Sequence, residues 1–396
     1  MNIHDIISIG LYKLGCDYMA KGNKDLRNAN QEKKYEFYTR LPDIEKELKN
    51  YKEDFEGKTV FCNCDDPFES NFFKYFAMNF NALKLKKLIA TCYAGSPIVT
   101  EQLSLFDVKG IVIKKGYEKQ PYKIEITEVE DNNGDGAIDL SDVEYLLKNK
   151  KNTLTLLKAD GDFRSEECIN LLKESDIVVT NPPFGLFREY ISQLIEYNKD
   201  FIIMGNTNAL SYKEVFKLFK ENRIRTGYTN FNVGMYFYVP DDVEKYHKIE
   251  DGRKMVRVST SCWFTSLPVK KHNEKLILYK KYDPLIYPKY ENFDAINVNS
   301  YTEIPADYDG YMGVPVTFLD KYNPEQFKLI GLGISRSGLE IGVKPYKPEH
   351  KEYRKSVQHK GAVDGDLYLL DDDGHPEVPY ARAVIISIDM EDKNGN

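Results

Sequence analysis

Short apolar runs alternate with amphipathic stretches between residues 59 and 266. T-V-F-C-N-C (59–64), L-K-L-K-K-L-I-A-T-C-Y (83–93), L-T-L-L (154–157), I-V-V (177–179) and F-I-I-M-G-N (201–206) predict buried strands. Residues 223–229, 234–239 and 259–266 predict further strands. Between them, F-F-K-Y-F-A-M-N-F, E-E-C-I-N-L-L-K-E and Y-K-E-V-F-K-L-F-K predict helices. Another follows residue 186, where Phe187, Tyr190 and Leu194 repeat at i, i+3, i+7. This alternation predicts an α/β fold with a doubly wound sheet. Residues 94–152 interrupt it as an insertion, with a hairpin expected from 108–114 and 122–127. Residues 1–34 predict a polar helical segment, and Asp43 stands before a short helix carrying Ile44 and Leu48. Periodicity fades after residue 266, setting 267–396 apart from a core of 35–266.

The run at 177–179 stops at Asn181-Pro182-Pro183-Phe184. Two prolines remove two backbone donors and fix two φ angles, so neither strand nor helix passes through them. A stiff loop at the carboxyl end of a strand is expected, the edge where open α/β sheets bind ligands. The loop offers the Asn181 amide oxygen, the Pro182 carbonyl and the Phe184 ring. Two acceptors beside an aromatic plate suit a planar group bearing an exocyclic NH2.

The insertion carries D-N-N-G-D-G-A-I-D-L-S-D. Asp131, Asn133, Asp135, Asp139 and Asp142, with Gly136 at the sharp turn, fall at calcium-loop spacing. A strand-like segment rather than a helix precedes it, and position 12 is the short Asp142. The other reading is an acidic turn capping the helix at 140–148.

Charge changes the picture at one place. The chain's net charge is −7, yet residues 336–360 hold seven basic residues against three acids. Arg336, Lys344, Lys347, Lys351, Arg354 and Lys355 are therefore candidates for phosphate contact. Six scattered cysteines without C-x-x-C pairs read as reduced thiols of a cytoplasmic protein. No apolar run is long enough to span a bilayer.

The N-P-P-F loop and the phrase F-C-N-C-D-D-P-F-E-S-N-F-F-K-Y-F (61–76) together resemble the EcoRI-type adenine-N6 DNA methyltransferase family. That resemblance implies a Rossmann-like methyltransferase sheet, S-adenosylmethionine as cofactor and a C-terminal target-recognition region. It implies Asn181, Pro182, Pro183 and Phe184 as the catalytic loop acting on a flipped-out adenine of duplex DNA. It implies cofactor contacts from Thr39, Asp65, Asp66, Asn71, Tyr93, Asp162 and Phe163, with Asp160 competing for the role of Asp162. Two departures stand out: Ser70 and Phe72 occupy the family's glycine positions, and Tyr93 stands near the end of the second strand, where an acid is usual. A restriction endonuclease acting on the same site would be the further partner. The same loop also serves enzymes that methylate RNA adenine or protein glutamine, and the acidic loop alone would suit a calcium-binding regulatory protein.

Overall fold

The computed structural model describes residues 37–64, 66–67, 69–93, 121–149, 154–241 and 243–388. The expected helical segment 1–34, Asp65 and the expected strand 108–114 lie outside the described residues. Two compact units divide the chain: residues 1–205 with 234–258, and residues 206–233 with 259–396. The chain thus leaves the first unit and returns to it within the stretch 35–266 expected as one core.

In the first unit, strands β1 (Tyr38–Thr39), β2 (Thr59–Cys62), β3 (Lys87–Thr91), β4 (Tyr122–Ile126), β5 (Leu154–Leu156), β6 (Ile177–Thr180) and β7 (Asp200–Asn206) appear in chain order. The last six form a sheet in the order β5-β4-β3-β2-β6-β7. β2 is buried along its whole length, as is β6. Unbroken apolar runs mark strands covered on both faces. β2 runs parallel to β3 and to β6, and β6 parallel to β7. β4 is antiparallel to both of its neighbours, β3 and β5. Its alternating burial separates it from the parallel strands. The sheet is therefore mixed, because the insertion contributes a strand between β3 and β5.

Helices α1 (Leu41–Leu48), α2 (Asn71–Met78), α3 (Leu140–Asn149), α4 (Glu166–Glu174) and α5 (Phe187–Glu196) complete this unit. The Ser70 side chain caps α2 by accepting from the Phe73 N–H, and Ser165 caps α4 from the Cys168 N–H. Met235–Tyr238 pairs with β1 and with Arg253–Val258, forming a small antiparallel sheet that ends at Lys248–Glu250.

The second unit has a four-stranded sheet of Ala295–Asn297, Tyr311–Pro315, Arg382–Ser387 and Phe327–Leu332. Tyr290, Ala295, Val343, Leu367 and Val384 form a core cluster there. Arg225–Thr226 pairs antiparallel with Ser261–Thr265. The helix Lys213–Lys220 is tied within the unit by a 2.9 Å bond from Lys220 Nζ to the Ile330 carbonyl.

Candidate active site

Parallel direction brings several chain segments out of one sheet edge. Residues 63–66 follow β2, 92–93 follow β3, 157–163 follow β5 and 181–184 follow β6. This is the carboxyl edge, where loops rather than ladder bonds present polar groups.

The loop ends are locked to each other. Thr180 Oγ1 donates to the Asn63 carbonyl, and the Tyr190 hydroxyl donates to Asn63 Oδ1. Asn63 thereby fastens the end of β2 to the end of β6 and to α5. Cys64 then takes φ +79°. A non-glycine residue in that region costs about 1–3 kcal/mol and persists where its surroundings hold it.

Asn181 lies buried directly beyond β6. Its Nδ2 donates to the Phe37 carbonyl at 2.6 Å. A carbonyl can only accept, so this contact fixes the amide orientation and leaves Oδ1 on the other side. Asn181 Oδ1 is buried and has no hydrogen-bond partner. Leaving such an acceptor unmade costs about 1–3 kcal/mol, so its retention calls for an explanation. Pro182 is buried beside it, while Pro183 is exposed and its carbonyl accepts from the Leu186 N–H. The half-buried Phe184 ring stacks with Phe37 (centroids 6.1 Å apart, 26° between planes) and meets Phe237 edge-on at 6.5 Å. Phe37 and Phe237 also meet edge-to-face at 6.2 Å. An orphan acceptor therefore sits next to a three-ring aromatic cluster.

Thr39 is buried on β1, and its Oγ1 likewise has no partner. Its carbonyl accepts from Asn71 Nδ2 at 2.7 Å. Asn71 thus positions Thr39 by holding β1 to the start of α2. Asp66 is 1% exposed, with both carboxylate oxygens receiving the Tyr122 hydroxyl at 3.0 and 3.1 Å. Burial first, then the Asp66 charge, pushes the Tyr122 phenol well above its ordinary range, so it remains a donor. Tyr93 is half-buried at the same edge, two residues past β3.

The Asp162 segment differs from expectation. Arg164 takes both Asp162 oxygens through Nε and a terminal nitrogen, each at 2.8 Å, and its backbone N–H adds a third bond. Asp162 is an engaged carboxylate, not an open acceptor. Asp160, the competing candidate, is exposed and accepts from the Asp162 N–H. Phe163 is buried against Tyr190, edge-to-face at 5.1 Å.

The oxygens of the acidic loop accept from its own backbone. Asp131 accepts from the Gly134 and Gly136 N–H groups, Asn133 from Asp135, and Asp135 from Ala137. Asp139 accepts from the Ser141 N–H and hydroxyl, and the buried Asp142 accepts from the Asn132 and Asp139 N–H groups. The loop oxygens act as turn and cap acceptors for the backbone, and Asp131, Asp135, Asp139 and Asp142 are not among the side chains whose ligand atoms converge, so the structure lends the calcium expectation no support. Among the described residues, the side-chain group with metal-binding spacing is Asp371, Asp373 and His375, on an exposed turn.

The expected phosphate-binding residues divide by burial. Arg336, Lys344 and Lys355 are exposed. Lys347 pairs with Glu291, and Lys351 with Asp364 at 2.6 Å. Arg354 departs from expectation: it is 7% exposed, with its guanidinium bound to the Gly361 carbonyl and Gln358 Oε1. Sequence position gave it the sign of a phosphate ligand, but packing makes it a brace for the loop that follows.

Asn63, Phe37, Tyr122, Tyr190 and Phe237 escaped the sequence reading. Asn63, Tyr122, Tyr190 and Phe237 lay in segments read only as strands or a helix (59–64, 122–127, the helix after 186 and 234–239), and Phe37 stands two residues before Thr39. The pairing that makes them site neighbours spans up to 200 residues and leaves no local mark.

The profile of the family described as adenine-specific methyltransferase EcoRI matches residues 25–386. Type II methyltransferase M.EcoRI of Escherichia coli is 45% identical over 333 residues, covering 82% of this chain and 94% of its own. Type II methyltransferase M.MgeORF184P of Mycoplasma genitalium is 37% identical, covering 76% of this chain and 84% of its own. Type II methyltransferase M.MpnI of Mycoplasma pneumoniae is 36% identical over the same share of this chain and 83% of its own. No solved structure matches significantly. With this coverage, and with N-P-P-F at the carboxyl edge of the sheet, the chain belongs to the family of EcoRI-type adenine-specific DNA methyltransferases.

Proposed function

We propose that the first unit transfers a methyl group to N6 of an adenine held against the Asn181–Phe184 loop, and that the second unit reads the DNA. The observation that carries this is the buried, unpartnered Asn181 Oδ1 beside the Phe37–Phe184–Phe237 cluster. The N6 lone pair of adenine is delocalised into the ring, which makes it a poor nucleophile. Asn181 Oδ1 and the Pro182 carbonyl accept the two N6 hydrogens and hold the nitrogen pyramidal, so the lone pair localises. Phe184 stacks on the base once it has left the duplex. Positioning and electrostatics then supply most of the acceleration, and no covalent nucleophile on the enzyme is needed.

S-adenosylmethionine supplies a methyl group on a sulfonium. The residues at this edge fit it: the unpartnered Thr39 hydroxyl suits a carboxylate, and buried Asp66 suits an ammonium. Phe163 offers an apolar wall for a purine, with Asp162 released to accept only if Arg164 moves to Glu189, already its second partner at 2.9 Å. The strand order supports a Rossmann-like methyltransferase sheet to which the insertion adds β4. A restriction-modification setting with a cognate endonuclease, in the cytoplasm, completes this reading, and the Type II naming of the relatives supports the setting.

Incubation with methyl-labelled cofactor and, separately, duplex DNA, RNA and protein tests the reading. The expected product is N6-methyladenine in duplex DNA at one sequence. Label found in RNA or protein alone overturns it.

A further inference from the structure

The second unit displays a rigid apolar point. Leu285 is 93% exposed and its neighbour Ile286 is 67% exposed. Two adjacent large aliphatics on one ordered turn make a compact apolar point. The turn beneath them is braced. Asp283 Oδ1 accepts from the Leu285 N–H at 2.9 Å, and its carbonyl accepts from the Ile286 and Tyr287 N–H groups. Tyr287 is buried, and its hydroxyl donates to the Glu303 carbonyl at 2.8 Å. Tyr282 packs between Tyr287 (6.1 Å) and Tyr308 (4.6 Å), while its N–H is held by Asp307 at 2.7 Å. The aliphatics are thus presented on a preorganised turn and lose little entropy when covered.

Charge selects the occupant. Residues 270–289 contain six lysines and two acids, in a chain of net charge −7; Lys271 and Lys289 are paired with Asp320 and Asp294. Lys280 and Lys281, just before the turn, are both exposed. An apolar tip flanked by lysines suits a polyanion with an apolar interior, which is a stacked duplex. A protein partner would need acids to match, and a second copy would place lysines against lysines.

We infer that Leu285 and Ile286 form a wedge that enters the base stack of bound DNA while Lys280 and Lys281 hold its phosphates. Insertion of aliphatic side chains between base steps is a known way to unstack and kink a duplex. Here it would offset part of the cost of extruding the target adenine. The inference rests on the DNA-methylating reading above. It adds two residues and a role that the catalytic loop does not supply.

The test compares wild type with Leu285→Ala, Ile286→Ala and the double variant on two duplexes. Both carry the site found by sequencing methylated DNA; in the second, the base opposite the target adenine is replaced by an abasic residue. Because both side chains are solvent-exposed, thermal unfolding should be unchanged. On the intact duplex, the double variant should lose about ten-fold or more in kcat/KM; on the abasic duplex, it should return to within about two-fold of wild type. 2-Aminopurine at the target position should brighten with wild type and less with the double variant. Equal losses on both duplexes, or no loss on the intact one, overturn the wedge. This holds even if sedimentation shows the variants altering self-association. Wild type failing to methylate either duplex would instead indict the reading on which the inference stands.

Discussion

At the residue scale, Asn181 and Asp66 pose opposite problems. Asn181 keeps an acceptor that folding leaves unpaired, whereas Asp66 keeps a charge that folding nearly encloses. If the orphan oxygen serves the N6 amine, Asn181→Ala removes an interaction made in the reacting complex together with the bond to the Phe37 carbonyl. Methyl transfer should fall by about a hundredfold or more, while cofactor affinity stays within a few-fold. Single-turnover transfer beside an equilibrium cofactor titration reads both, and equal losses would move Asn181 into cofactor binding. Tyr122 has the converse role. Its hydroxyl is a donor to a buried carboxylate, and such bonds contribute about 1.5–3 kcal/mol. Tyr122→Phe keeps the ring and removes the donor, leaving Asp66 less firmly held as a carboxylate. Cofactor affinity should weaken about ten-fold, with kcat less affected. Unchanged affinity would show that Asp66 is positioned without Tyr122.

At the element scale, the close approach between the loop after β5 and the end of β3 leaves no room for a side chain. Gly161 has φ +76°, and a Cβ there would lie 2.1 Å from the Cys92 carbonyl oxygen. Backbone against backbone leaves no side chain to move aside. Gly161→Ala should destabilise by about 2 kcal/mol or more, since left-handed strain and the clash act together. Thermal unfolding checks it; a melting temperature within a degree of wild type would mean that the loop relaxes away from β3. Elements of this kind were legible only in part. Unbroken apolar runs gave the positions of β2 and β6, and the two prolines gave the loop, because those signals are local. Direction and partnership are not local. Alternation in Y-K-I-E-I announced a strand, but nothing in it says that β4 enters between β3 and β5. Met235–Tyr238 read as one more strand of the main sheet, yet it pairs with Tyr38–Thr39 and carries Phe237 to Phe184. The acidic loop shows the same limit. Asx and glycine spacing is shared by ion-binding loops and self-capped turns, and only the direction of the oxygens separates them.

At the scale of the whole molecule, an acidic chain must hold a polyanion, so its exposed cations carry the electrostatic load, Arg336 among them with Glu340 3.8 Å away. Arg336, Lys344 and Lys355 are exposed, while Lys347 and Lys351 sit in surface ion pairs, which are worth little and exchange readily. Arg354 is withdrawn from solvent. Each phosphate contact contributes about 0.9 to the slope of log affinity against log salt. Replacing Lys344 and Lys355 together by alanine should flatten that slope by about 2 units and leave the melting temperature unchanged. Arg354→Ala should do the reverse. The slope should persist, while loss of bonds to Gly361 and Gln358 lowers stability by about 1–3 kcal/mol. The two variants share a charge change per residue, so net charge cannot explain opposite outcomes. DNA affinity measured across a series of salt concentrations, with a melting curve for each variant, distinguishes the roles. A slope that survives loss of both lysines would remove Lys344 and Lys355 from the phosphate contacts and shift the weight to Arg336, Lys280 and Lys281.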